Sequence, residues 1–214
     1  GKVLYEAKVR DRTPRGEEAK LRWDLVILDA PATGHAVQLL RVPQALLATV
    51  PAGPLHSDAQ WMRAMLTDAA HTGIVVVTLP EEMPVNETIE LAGRLRAKVG
   101  VTVGPVVVNQ LYPPRFVTGP SARALADLPE PRTDEAGDDD ESTDEGLRVL
   151  APILVRARIA MRRRALNDHY LAKLAAALPL PQAQLPYLFS AEFAAPQVDD
   201  LSRRLESQLQ ALSA

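Results

Sequence analysis

The sequence predicts an α/β chain folded on a doubly wound, mostly parallel sheet. Three near-continuous apolar runs, Asp24–Leu28, Gly73–Leu79 and Gly104–Val108, are too apolar for a sheet with one wet face. Segments of helical length separate them, and parallel strands need such crossovers. The apolar set is dominated by Val, Leu and Ala with few aromatics, which suits helices packed on a parallel sheet.

The elements follow in order. Val3 to Lys20 is charged, with Val3, Leu4, Ala7 and Val9 spaced as in a helix over its first half and a polar link at Pro14. The first apolar run is expected to be a strand buried on both faces, ending in Asp29. His35–Val50 carries Val37, Leu39, Leu40, Leu46 and Leu47 at helical spacing, interrupted at Pro43. Pro51–Pro54 reads as a turn, and Ser57–Ala70 as a helix capped by Ser57 or Asp58. After Leu79 come Pro80, Glu81 and Glu82, then an amphipathic helix over Val85–Val99. The third run ends in Asn109 and Gln110. In Pro129–Gly146 the residues Asp138, Asp139, Asp140 and Glu141 repel one another and bury nothing, so a disordered acidic loop is expected there. Leu147–Leu178 reads as a long helix with an Arg cluster (Arg156, Arg158, Arg162, Arg163, Arg164), Gln184–Leu188 as a last strand, and Val198–Leu212 as a final amphipathic helix.

Composition narrows the function. A chain of 214 residues fits one domain, or one large piece of one. A net charge of −3 gives no general attraction to nucleic acid or acidic membranes. The absence of cysteine excludes disulfides, thiolate metal sites and thiol nucleophiles, and fits a reducing compartment. No apolar stretch reaches the roughly 20 residues that cross a bilayer, and none reads as a signal peptide, so a cytoplasmic chain without direct membrane insertion is expected. The chain opens with Gly1 and Lys2 rather than Met, and the expectation is that residues precede Gly1.

Asp29 is the first candidate for chemistry. A carboxylate at the C-terminal tip of a strand lies where open α/β sheets bind ligands, and it could hold Mg²⁺ through water. The plainer alternative is an Asp that caps the next helix or starts a turn. Asn109 has a similar alternative, as the end of a strand. Glu81 and Glu82 fit a helix N-terminus, where acids suit the dipole, better than a catalytic pair. His56, His71 and His169 have no cluster around them, and Met62, Met65 and Met83 fit packing positions.

The segment Asp29-Ala30-Pro31-Ala32-Thr33-Gly34-His35 resembles the switch II signature of the arsenite-pump (ArsA) ATPase family, which includes the Get-pathway ATPases. Ala30, Pro31 and Ala32 stand where Thr-Ala-Pro is common. The resemblance continues at Thr78-Leu79-Pro80-Glu81-Glu82-Met83 with Glu87-Thr88, and at Val106–Leu111, which is similar to the family's adenine-side segment. These segments cover residues 21 to 112. The resemblance implies a P-loop NTPase fold, with ATP and Mg²⁺ as cofactors. It implies that Asp29 holds the Mg²⁺ water shell and that Thr33, Gly34 and His35 form the switch sensing the γ-phosphate, Gly34 supplying freedom at positive φ. It also implies that Asn109, with Gln110 beside it, meets the adenine edge. Pro186 packs against the base in this reading, or merely ends a strand. By the same resemblance His35 is a structural or sensing residue rather than a proton acceptor.

The chain departs from that pattern. No glycine-rich phosphate loop ending in Lys and Ser or Thr occurs in it. In the family this loop precedes switch II, so the expectation is an N-terminally truncated ATPase domain, inactive alone, whose parent hydrolyses ATP. Without cysteine, neither an As(III) thiolate site nor a Cys-x-x-C zinc clamp is possible. Between Pro43 and Thr72 there is room for only one or two short helices, so a large groove for a transmembrane client is not expected. The expected partner is a second copy or a paralogous ATPase subunit, with any client unidentified. The rival reading is a non-catalytic subunit docked on an active paralogue. Partitioning ATPases of the ParA or MinD type are a weaker match, because they lack the Thr-Gly-His signature.

Overall fold

The computed structural model describes residues 6–7, 21–114 and 145–213. Most of the helix expected within Val3–Lys20, and most of the acidic loop expected over Pro129–Gly146, lie outside the described residues. The elements are α1 (Thr33–Thr49), α2 (Pro54–Thr67), β1 (Ile74–Thr78), α3 (Glu82–Arg94) with a π-helical extension (Leu95–Val99), β2 (Val103–Leu111), α4 (Glu145–Ala177), β3 (Gln182–Pro186) and α5 (Ala195–Ser213). The sheet is open, parallel and three-stranded in the order β1-β2-β3, consistent with the P-loop NTPase-type α/β fold. The chain divides into two compact units, Gly1–Ile74 with Leu91–Val103 and Val75–Glu90 with Gly104–Ala214.

In the first unit, residues 25–31 form neither helix nor strand. The buried strand expected at Asp24–Leu28 is not formed, and Leu25 is 74% and Ile27 84% exposed. Burying such a run requires hydrogen-bonded neighbours and a layer on each face. Among the described residues, nothing pairs with it. α1 follows, and Ala32 before it supplies no side-chain cap. Pro43 does not interrupt this helix but lies buried inside it. Its missing N–H removes one helical hydrogen bond, and burial of the ring offsets part of that loss.

α2 starts earlier than a Ser57 or Asp58 cap implies. Gly53 takes the N-cap position at φ 103°, and Pro54 opens the helix. Glycine tolerates that φ, and proline is pre-set for the first helical position. Past the helix, Asp68 Oδ1 accepts the N–H of Ala70 at 2.9 Å, and Oδ2 lies 2.7 Å from His71 Nδ1. The Ala70 N–H first, and His71 second, hold the Asp68 carboxyl below its ordinary value of 3.8. α1 packs on α2 and on the π-helical extension. Gly100, at φ 77°, ends that extension by donating its N–H to the Leu95 carbonyl at 3.0 Å.

In the second unit, β2 is the central strand, and its consecutive Val106, Val107 and Val108 are all buried, as the apolar run implies. β1 differs. Val76 and Thr78 are buried, whereas Val75 is 55% and Val77 62% exposed, so one face is wet where none was expected. An apolar strand buries both faces only when a layer covers each. α4 runs 33 residues, about 50 Å, with Leu154, Ala157, Asn167 and Leu174 buried at helical spacing, and Leu178, just past its end, is buried too. On α5, Leu201 and Leu205 pack against Val107, Ala183 and Leu185. The Gln208 carboxamide accepts the Gln184 N–H at 2.8 Å and donates to the Gln184 carbonyl at 2.9 Å. It thereby covers both backbone groups of one residue on the edge strand β3, as a neighbouring strand would.

Candidate functional site

The residues singled out from sequence fall into two groups, one in each unit, and each group is described by itself. In the first unit, Asp29 is exposed in irregular backbone, four residues before α1. Thr33, Gly34 and His35 are the first turn of that helix rather than a separate loop. The Ala32 carbonyl accepts the N–H of His35 at 3.0 Å and of Ala36 at 3.3 Å. The left-handed freedom expected of Gly34 is not used, since among the described residues the glycines at positive φ are Gly53 and Gly100. The helical hydrogen bonds of the first turn require right-handed backbone there. Among the described residues, no group of three or more His, Cys, Asp or Glu could hold a metal ion. A lone exposed carboxylate is still compatible with Mg²⁺, which keeps much of its water and is commonly held by one or two carboxylates together with substrate phosphates.

The second group is more closely knit. β2 and β3 stay in register through Val108 and Gln184, then resume at Leu111 and Pro186. Three steps along β2 therefore match two along β3, and the extra residue is a bulge at Asn109–Gln110. Gln110 has φ 58°, the only non-glycine residue at positive φ among those described. Bulges re-aim side chains at functional rims, and strained backbone of this kind costs about 1–3 kcal/mol. The Asn109 Oδ1 accepts the Gln110 N–H at 2.9 Å, which stabilises the kink and leaves the Asn109 amide N–H groups directed elsewhere. Pro186 stands opposite Leu111 in the register. Asn109, Gln110 and Pro186 are thus brought together at the C-terminal ends of neighbouring strands, where open sheets bind ligands.

Sequence reasoning missed the residues that surround this bulge. The Tyr112 and Tyr187 rings stack at 5.1 Å, and Phe189 meets them at 5.7 Å and 4.8 Å. The Arg163 guanidinium carbon lies 5.5 Å from the Tyr112 ring centre, a cation–π arrangement worth about 0.5–1 kcal/mol. The Tyr112 N–H donates to Asn167 Oδ1 at 3.0 Å, and Asn167 Nδ2 donates to the Pro80 carbonyl at 3.0 Å. Arg164 Nη1 donates to the Tyr112 carbonyl at 2.8 Å, while Nη2 pairs with Asp168 at 2.7 Å. Arg164 Nε is buried without a partner among the described residues. Within the Arg cluster, then, Arg164 is an anchor of the strand end. The aromatics that directly follow Leu111 and Pro186 were the available signal. The role of Asn167 had none, because its partners lie 55 and 87 residues away.

Glu82 opens α3 as a first-turn acid. Partial burial, then the charge and hydrogen bond of Glu82, raise the Tyr170 hydroxyl above its ordinary value of 10.0. His71 is held by Asp68, and His169 packs edge-on against Tyr170 at 5.0 Å.

Comparison with known proteins places this geometry in context. Residues 55–121 match the family described as Anion-transporting ATPase (ArsA). ATPase BagA of Mycobacterium tuberculosis (strain H37Rv) is 31% identical over 181 residues, covering 77% of this chain and 52% of that protein. ATPase-named proteins of Mycobacterium bovis and of M. tuberculosis strain CDC 1551 match to the same extent, 31% over 181 residues, 77% of this chain and 52% of theirs. The chain spans about half the length of these curated relatives. It resembles the ArsA-like ATPases in sequence and carries an α/β sheet consistent with their fold. Among the described residues, no helix is long and apolar enough to cross a membrane.

Proposed function

From that resemblance we propose that this chain is the C-terminal part of an ArsA-like ATPase that couples hydrolysis of ATP to ADP and phosphate to movement of the Thr33–His35 turn. The observation that supports the reading most is the Asn109–Gln110 bulge, a strained device at the C-terminal end of β2 in the segment similar to the family's adenine side. Asn109 and Gln110 serve the base edge, and Pro186 packs beside it. Asp29 holds Mg²⁺ through water. When bound, the ion supplies charge neutralisation at the terminal phosphates. Thr33, Gly34 and His35 stand at a helix N-terminus, where the helix dipole favours negative charge nearby. Gain and loss of the γ-phosphate would therefore bias this turn and the way two subunits meet. The partner is a second copy or a paralogous ATPase subunit, and the location is cytoplasmic.

The chain holds no phosphate loop of its own, so it turns over no ATP in isolation. That same feature favours the second reading, a non-catalytic subunit on an active paralogue. Phosphate release separates the two. In a protein of the relatives' length that carries this chain, Asp29→Asn is expected to lower Mg²⁺-dependent turnover about 100-fold. Unchanged turnover in that variant would remove Asp29 from the site. Turnover by the 214-residue chain alone would overturn its proposed inactivity.

A further inference from the structure

The ends of β1 and β2 are joined by one side chain. Asn167, on α4, is 5% exposed. Its Nδ2 donates to the carbonyl of Pro80, two residues past β1, and its Oδ1 accepts the N–H of Tyr112, the residue after β2. Arg164, three residues earlier on the same helix, donates to the other side of Tyr112 at its carbonyl. The Tyr112 backbone is therefore gripped at both polar groups from a single helix face. Gln110, at φ 58°, stands two residues before it. A left-handed glutamine relaxes toward ordinary strand geometry unless its surroundings hold it. The Tyr187 N–H, donating to the Leu111 carbonyl at 2.8 Å, holds the strand between Gln110 and Tyr112 on its other side.

We propose that Asn167 is a positioning residue for base recognition: its carboxamide ties the ends of β1 and β2 and so keeps the Asn109–Gln110 bulge in the form that presents the Asn109 amide to the base. The proposal rests on the adenine-side reading of that bulge. Asn167 touches no nucleotide in this account. It acts through the Tyr112 backbone, with Arg164 as its partner, and the Tyr112–Tyr187 stack follows the same anchor. An aliphatic replacement would leave the Pro80 carbonyl and the Tyr112 N–H without their present partners, and buried polar groups so stranded rearrange or take up water.

The test uses the whole 214-residue chain and two nucleosides, adenosine and guanosine, which probe the base side without a phosphate loop. Backbone amide NMR shifts of Asn109, Gln110 and Tyr112 give the affinity and the adenosine-over-guanosine preference. Asn167→Leu is expected to weaken adenosine binding about tenfold, the equivalent of one lost hydrogen bond at a buried site, and to compress the preference. Asn167→Ser adds no charge, but its shorter hydroxyl cannot span both partners, so an intermediate loss is expected, and it serves if the leucine variant does not fold. Leu174→Ala destabilises the same helix away from this anchor and should leave the preference unchanged. If the wild-type chain prefers adenosine and both Asn167 variants retain that preference and affinity within about twofold, the positioning role is wrong while the base site stands. If adenosine moves none of the three amides in the wild-type chain, the base-site reading falls and this inference falls with it.

Discussion

The two stretches assigned to a nucleotide are held by different means. Asp29 through His35 is a local object. Its carboxylate is exposed, its backbone is irregular up to α1, and its visible hydrogen bonds at the turn run from His35 and Ala36 to Ala32, within four residues. Asn109 through Tyr112 is the reverse. Its shape depends on a register shift against β3, on Asn167 and Arg164 more than 50 residues further along the chain, and on rings from beyond β3. A turn that must move between nucleotide states benefits from few ties, whereas an edge that discriminates bases benefits from rigid ones. The difference matches the roles proposed for the two stretches.

That contrast is open to attack by mutation. The largest effect is expected on the knitted side. Leu174, fully buried in α4, should cost about 3 kcal/mol on truncation to alanine, through lost burial and a residual cavity. Ile27→Ala, at an exposed position before the Thr33–His35 turn, should cost less than about 0.5 kcal/mol. Urea unfolding compares them, and equal costs would show that the first stretch is packed after all. A smaller effect is expected at the bulge. Gln110→Gly relieves a left-handed side chain and should stabilise the chain by about 1 kcal/mol, read as a raised denaturation midpoint. Destabilisation instead would mean that the Gln110 side chain makes contacts that outweigh the strain.

The smallest effect belongs to Asp68, a local turn that serves as reference for both stretches. Its carboxyl is held below 3.8 in the folded chain, by the Ala70 N–H and then by His71. A depressed folded value means the stabilisation is present above 3.8 and is lost as pH falls through the folded value. Asp68→Asn should therefore fall slightly below wild type near neutral pH and converge with it as pH falls through the folded value. A gap in denaturation midpoint that persists in acid would assign the effect to something other than the carboxylate charge.

Element type was largely legible in the chain. Continuous Val-rich runs marked β1 and β2, and apolar residues three and four apart marked the helices. Boundaries were less so. The Gly53-Pro54 pair started α2 ahead of the polar caps, and Pro43 was accommodated inside α1 with its ring buried, which offsets part of the lost hydrogen bond. The strand expected before Asp29 shows the limit of pattern reading. An apolar run records a capacity to be buried, and whether a strand forms depends on neighbours that the run does not contain.

By itself the sequence determined the fold class, the ArsA-like resemblance and the place of Asp29, Thr33, Gly34, His35, Asn109, Gln110 and Pro186 along the chain. These follow from local periodicity and short motifs, which act over a few residues. The tertiary structure alone decided that Gln110 turns left-handed, that Pro186 comes opposite Leu111, and that Asn167 joins Pro80 to Tyr112. Such facts depend on which distant segments meet, and a buried polar group takes its partner from whatever the packing brings within hydrogen-bond reach.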